Sequence, residues 1–66
     1  MKVKKLENGQ FEVTHNNLTL VQTIINGERY NDCSIKDSEG CSEIVSQHNE
    51  LFKPLFIALH NYKNEN

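Results

Sequence analysis

Between positions 8 and 35 the chain reads NGQFEVTHNNLTLVQTIINGERYNDCSI, a run interrupted by turn dipeptides at Asn8-Gly9, Asn16-Asn17 and Asn26-Gly27. The two Asn-Gly pairs are hairpin signals: both central residues of a type I′ turn need positive φ, which Asn and Gly tolerate best. Asn16-Asn17 is a weaker form of the same signal. Residues 2–7, 10–15, 18–25 and 28–35 then read as four strands. The third is rich in β-branched residues (Thr19, Val21, Thr23, Ile24, Ile25), which suit a pleated surface.

If each loop has two residues, the register follows. Leu6 pairs with Phe11, Val13 with Leu20, Leu20 with Cys33 and Leu18 with Ile35. One face then collects Leu6, Phe11, Val13, Leu18, Leu20, Ile24, Cys33 and Ile35, with polar His15, Gln22, Arg29 and Asn31 among them. The other face sets Lys5 opposite Glu12, Thr14 opposite Thr19, Val21 opposite Asp32 and Thr23 opposite Tyr30. It is mostly polar, as the solvent side of an antiparallel sheet should be. Val21, Thr23, Ile25 and Tyr30 nevertheless form an apolar cluster on it. Scattered exposed apolar residues need no explanation, whereas a contiguous group marks a partner surface.

Beyond the strands, Asp37-Ser38-Glu39-Gly40 reads as a linker spanning residues 36–40, with Ser38 or Ser42 placed to cap a helix. From Cys41 onward the apolar positions are Cys41, Ile44, Val45, His48, Leu51, Phe52, Leu55, Phe56, Leu59 and Tyr62. Steps of three and four predict one amphipathic helix over 41–63. Pro54 falls inside it and removes a backbone hydrogen bond, so the helix is expected to kink there. A break at Phe52–Lys53, with Pro54 in a new first turn, is the alternative. The expected fold is α+β: a four-stranded antiparallel meander in a single domain, with one long C-terminal helix packed on one face.

The chain has 66 residues, of which 36% are hydrophobic, and a net charge of −2. A chain of that length buries only about 60% of its unfolded surface, so its core must be small. The acidic balance, with pI near 5.8, disfavours a nucleic-acid binder, which would carry a basic stripe. Lys2, Lys4 and Lys5 are explained as well by edge-strand protection. No apolar h-region follows the N-terminal lysines, and no stretch approaches the ~20 apolar residues of a membrane span. The expected compartment is the cytoplasm, with both thiols reduced.

Chemistry-bearing residues are sparse. Cys33, Cys41 and His48, with His15, could be imagined as metal ligands. Seven residues separate the cysteines and six separate Cys41 from His48, and neither gap is the short chelate spacing of structural zinc sites. On one helix Cys41 and His48 would lie about 10 Å apart, too far for a nucleophile and its base. No catalytic, cofactor-binding or metal-binding residues are assigned, and an enzyme is not expected.

The expected function is binding or inhibition of a protein partner, of the kind phages and mobile elements encode to block a host factor. A small nucleic-acid-associated regulator is the alternative. The candidate partner surface comprises Val21, Thr23, Ile25, Tyr30, Phe56, Ile57 and Tyr62. The apolar arc of the helix, roughly 140–160° wide at about 100° per residue, exceeds what one sheet covers, which predicts a homodimer.

Overall fold

The computed structural model describes residues 1–65. It is α+β: a five-stranded antiparallel sheet followed by one C-terminal helix. The strands are β1 (Lys2–Lys5), β2 (Phe11–His15), β3 (Leu18–Ile25), β4 (Glu28–Lys36) and β5 (Ser42–Val45), adjacent in chain order. The helix α1 spans Lys53–Glu65.

The two hairpins joining β2, β3 and β4 have the registers that their turn dipeptides imply. Val13 faces Leu20, Leu20 faces Cys33, and Leu18 faces Ile35. Asn16 (φ 55°), Asn26 (φ 53°) and Gly27 (φ 81°) take the left-handed conformation these turns need. The first hairpin differs by one residue: Lys5, not Leu6, pairs with Phe11. Its loop is a 3-10 turn over Glu7–Gly9, in which the Gln10 N–H donates to the Glu7 carbonyl at 3.2 Å. A one-residue slip exchanges the two faces of a strand. With the two-residue loop, Lys4 would have stood opposite Val13 in the core; with the longer one, Val3 does. Burying an unpaired ammonium is far costlier than admitting one more turn residue. Leu6 moves to the outer face as a consequence.

The second correction concerns residues 41–49, which are not helical. Ser42–Val45 forms β5, pairing Cys33 with Val45 and Ile35 with Glu43. Lys36 donates its N–H to the Asn17 carbonyl at 2.9 Å, so even-numbered residues of β4 bond toward β3. Odd-numbered residues must then face the other way. Asp37 does so, donating to the Cys41 carbonyl at 2.8 Å. Cys33 and Ile35 would therefore present unpaired backbone groups beside the core, which is costly to leave unmet. β5 satisfies them, and its Ile-Val pair fits a pleated edge. Residues 37–40 accordingly belong to a hairpin loop. There Gly40 turns at φ 88°, and Asp37 Oδ1 accepts from the backbone of Glu39 and Cys41, each at 2.9 Å.

After β5 the chain winds through a 3-10 turn, Glu50–Phe52, into α1. Pro54 occupies the first turn of α1, where a missing N–H costs nothing. Neither Ser38 nor Ser42 caps a helix; Asn49 caps the 3-10 turn that leads into α1, its Oδ1 accepting from the Leu51 N–H at 3.0 Å. Asn49→Ala is expected to cost about 1 kcal/mol, as cap removal does. A lower urea midpoint at unchanged slope would show it, and an unchanged midpoint would show that the cap is dispensable.

α1 lies on the inner face, over β1 and β2. Phe52, Leu55 and Leu59 meet Val13, Leu20 and Cys33 in a fully buried cluster. Val3, Phe11, Leu18, Ile35, Val45 and Phe56 pack around it. Because Val45 lies on β5 and Leu51 is exposed, the wide apolar arc does not exist on a single helix.

Candidate functional site

The helix covers one face of the sheet and leaves the other open. On the open face, Val21 stands between Glu12 and Asp32, Thr23 opposite Tyr30, and Ile25 opposite Glu28. Gln10 Nε2 donates to Thr23 Oγ1 at 3.2 Å, and the Tyr30 hydroxyl donates to Glu28 Oε2 at 2.8 Å. That bond to the carboxylate, and then slight desolvation, raise the Tyr30 pKa above its ordinary value. Ile25 is 53% exposed and Tyr30 48%, so the apolar bodies of both side chains lie open to solvent. The four sheet residues of the expected partner surface are thus neighbours on one face.

The three helix residues are elsewhere. Phe56 packs half-buried against the core cluster, while Ile57 is exposed. Tyr62 meets Phe11 edge-on, with ring centroids 6.3 Å apart and planes at 74°. These three share the helix side of the molecule and do not join the sheet cluster. The structure adds two open-face residues, Leu6 and Ile44. Ile44 is 82% exposed. The sequence signal for it was Ile44-Val45, a β-branched pair separated by three residues from the possible turn at Gly40.

On the inner face, the polar residues form a connected chain. Asn31 Nδ2 donates to Gln47 Oε1 at 3.0 Å, and Gln22 Nε2 donates to Asn31 Oδ1 at 2.8 Å. Lys63 Nζ donates to Gln22 Oε1 and lies 4.6 Å from the centre of the Phe11 ring. Gln22 is buried and has a partner at each end of its amide, so its burial is compensated. Burial, and then the nearby Arg29 charge, lower the Lys63 pKa. A groove of about 390 Å³ beside the helix is lined by Gln22, Arg29, Phe56, Leu59, His60, Lys63 and Asn64.

The thiols lie apart in environment: Cys33 is buried in the core, Cys41 is exposed in the β4–β5 loop, and both are free. His15 adjoins Asn16, and His60 adjoins Asn64. Among the described residues no group of three or more His, Cys, Asp or Glu is arranged to hold a metal. Nor is any helix among them long and apolar enough to cross a membrane. Compared with known proteins, the chain matches no family model, no curated protein and no solved structure.

Proposed function

We propose that the chain is a non-catalytic binding protein that acts by occupying a surface of a protein partner with the open face of its sheet, blocking what that surface would otherwise do. One observation carries the reading: Val21, Ile25 and Tyr30 lie together on a face that no element among the described residues covers, with Ile25 and Tyr30 about half exposed. The solvent side of a sheet is ordinarily polar. Here an apolar centre is bordered by Glu12, Glu28 and Asp32, an arrangement like the apolar core and polar rim of protein interfaces. Tyrosine at such a centre is among the residues that dominate binding energy. Lys4 stands opposite Glu12, so the acidic side of the rim is at Glu28 and Asp32, where it favours a partner surface with basic residues beside an apolar patch.

The test is capture from lysate by the tagged chain, repeated with Tyr30→Lys after its melting curve has shown an intact fold. The substitution is expected to weaken capture by about 30-fold or more, the effect of losing a central aromatic contact. Capture should survive nuclease treatment. Retention of the same partner at wild-type level by Tyr30→Lys would overturn the reading. Capture lost on nuclease treatment, with affinity falling steeply in salt, would support a nucleic-acid-associated role instead.

A further inference from the structure

The two edges of the sheet are unlike. β1 carries Lys2, Lys4 and Lys5, and lysines on an edge strand discourage pairing with another chain. β5, Ser42-Glu43-Ile44-Val45, has neither lysine nor proline. Its residues Ser42, Glu43 and Ile44 are exposed, and Ile44 is the most exposed large hydrophobic residue, at 82%. Glu43 and Val45 bond inward to Ile35 and Cys33, by the alternation set out above. The N–H and C=O groups of Ser42 and Ile44 therefore point outward along an open edge.

We infer that this edge is a self-association surface, at which β5 of a second copy pairs antiparallel about a two-fold axis through Ile44. The register follows by elimination. Hydrogen-bonded pairs can form only between residues whose backbone groups point outward, here the even-numbered ones. That removes every register pairing an odd with an even position. Two of the remainder keep at least three residues of each strand opposed. One sets Glu43 opposite the partner's Glu43, and like charges directly opposed are unfavourable. The other sets Ile44 opposite the partner's Ile44 and Glu43 opposite the partner's Val45. It exchanges two backbone bonds at the axis and buries the exposed isoleucines against each other. A two-fold contact of this kind is self-complementary and closed.

A strand of four residues makes a small interface, below the ~1,200 Å² of stable complexes. The dimer is accordingly weak, dissociating between about 10 μM and 1 mM, the range of transient contacts. This association is independent of partner capture through Tyr30. The axis stands normal to the sheet, so it would place the open faces of both copies side by side.

Sedimentation from about 10 μM to 1 mM tests the pairing, those concentrations bracketing the weak range. The wild-type mass should rise from 7.6 kDa toward twice that value and stop. Ile44→Lys and Ile44→Glu should each stay monomeric, since each opposes like charges at the axis. Mixed together, they should dimerise again. Hydrogen exchange supplies a second readout: the Ile44 amide should gain protection as concentration rises, while those of Glu43 and Val45 change little. A wild-type monomer at the highest concentration overturns the inference, as does Ile44→Lys associating like wild type. A mixture that stays monomeric overturns the register. A mass climbing past the dimer would signal β5 pairing with β1 in an open array and overturn the two-fold.

Discussion

Leu55→Ala is expected to destabilise the protein by about 2–5 kcal/mol, the range for large-to-small changes at sites that cannot collapse. Leu55 is 0% exposed and belongs to the cluster of Phe52, Leu59, Val13, Leu20 and Cys33. With so few fully buried residues, the neighbours of Leu55 are also the rest of the core. Stability for so short a chain should lie near the bottom of the ~5–15 kcal/mol range, so the substitution removes much of it. At roughly 4–8 °C per kcal/mol for small domains, the melting temperature should fall by about 10 °C or more. Ile57→Ala is the matched control: Ile57 is two residues further along the same helix, on its other side, and 52% exposed, and its loss should stay within about 0.5 kcal/mol. A melting curve for Leu55→Ala that overlays the wild type would show that the helix does not dock through this residue.

The central hairpins were legible because two constraints coincide there. Positive φ at Asn26 and Gly27 fixes a tight turn, and alternation then puts Leu18, Leu20, Cys33 and Ile35 on one face. The first hairpin was not fully legible, since Asn8-Gly9 serves a three-residue loop as readily as a two-residue one. The decisive information was tertiary: Val3, rather than Lys4, has to meet Val13. A turn dipeptide locates a reversal more reliably than it counts residues.

The helix was misjudged at its start for a different reason. Steps of three and four through Cys41, Ile44, Val45 and His48 rested on only two strongly apolar residues. Two such residues fit a strand equally well, and short apolar runs do not distinguish the periods. What settled them was the unmet backbone of Cys33 and Ile35 on β4, which no local pattern displays. Pro54 was expected to kink one continuous helix; the alternative, a break near Phe52–Lys53 with Pro54 in a new first turn, is what the start of α1 at Lys53 shows. The candidate surface shares this history. Val21, Thr23, Ile25 and Tyr30 followed from register alone. Ile44 stayed hidden while assigned to a helix, and Leu6 while assigned to the inner face.

The two cysteines should differ in reactivity by a large factor. In excess thiol reagent near pH 8, Cys41 should react at the rate of an exposed thiol, whereas Cys33 should lag by about 10³-fold or more if it is reached only through global opening. Cys33 is 1% exposed, between Leu20 on β3 and Val45 on β5. Burial, and then the charge of Asp32, hold its thiol above the ordinary range, so the reactive thiolate is scarce as well as inaccessible. The same shift sets a pH dependence. Below about pH 8.5, the ordinary thiol value, both states keep the proton and stability is unaffected. Above it, the unfolded chain loses the proton first, binds fewer protons than the native state, and stability falls as pH rises. Two equally fast thiols would remove Cys33 from the core. Leu55→Ala then identifies the opening that admits the reagent. A loss of 2 kcal/mol or more should hasten Cys33 by about 30-fold if opening is global, since each 1.4 kcal/mol is a factor of ten. If Cys33 reacts at the wild-type rate in that variant, the opening is local. In that case β5 peels from β4 while the helix stays docked, and the strand that completes the sheet is also its least secure.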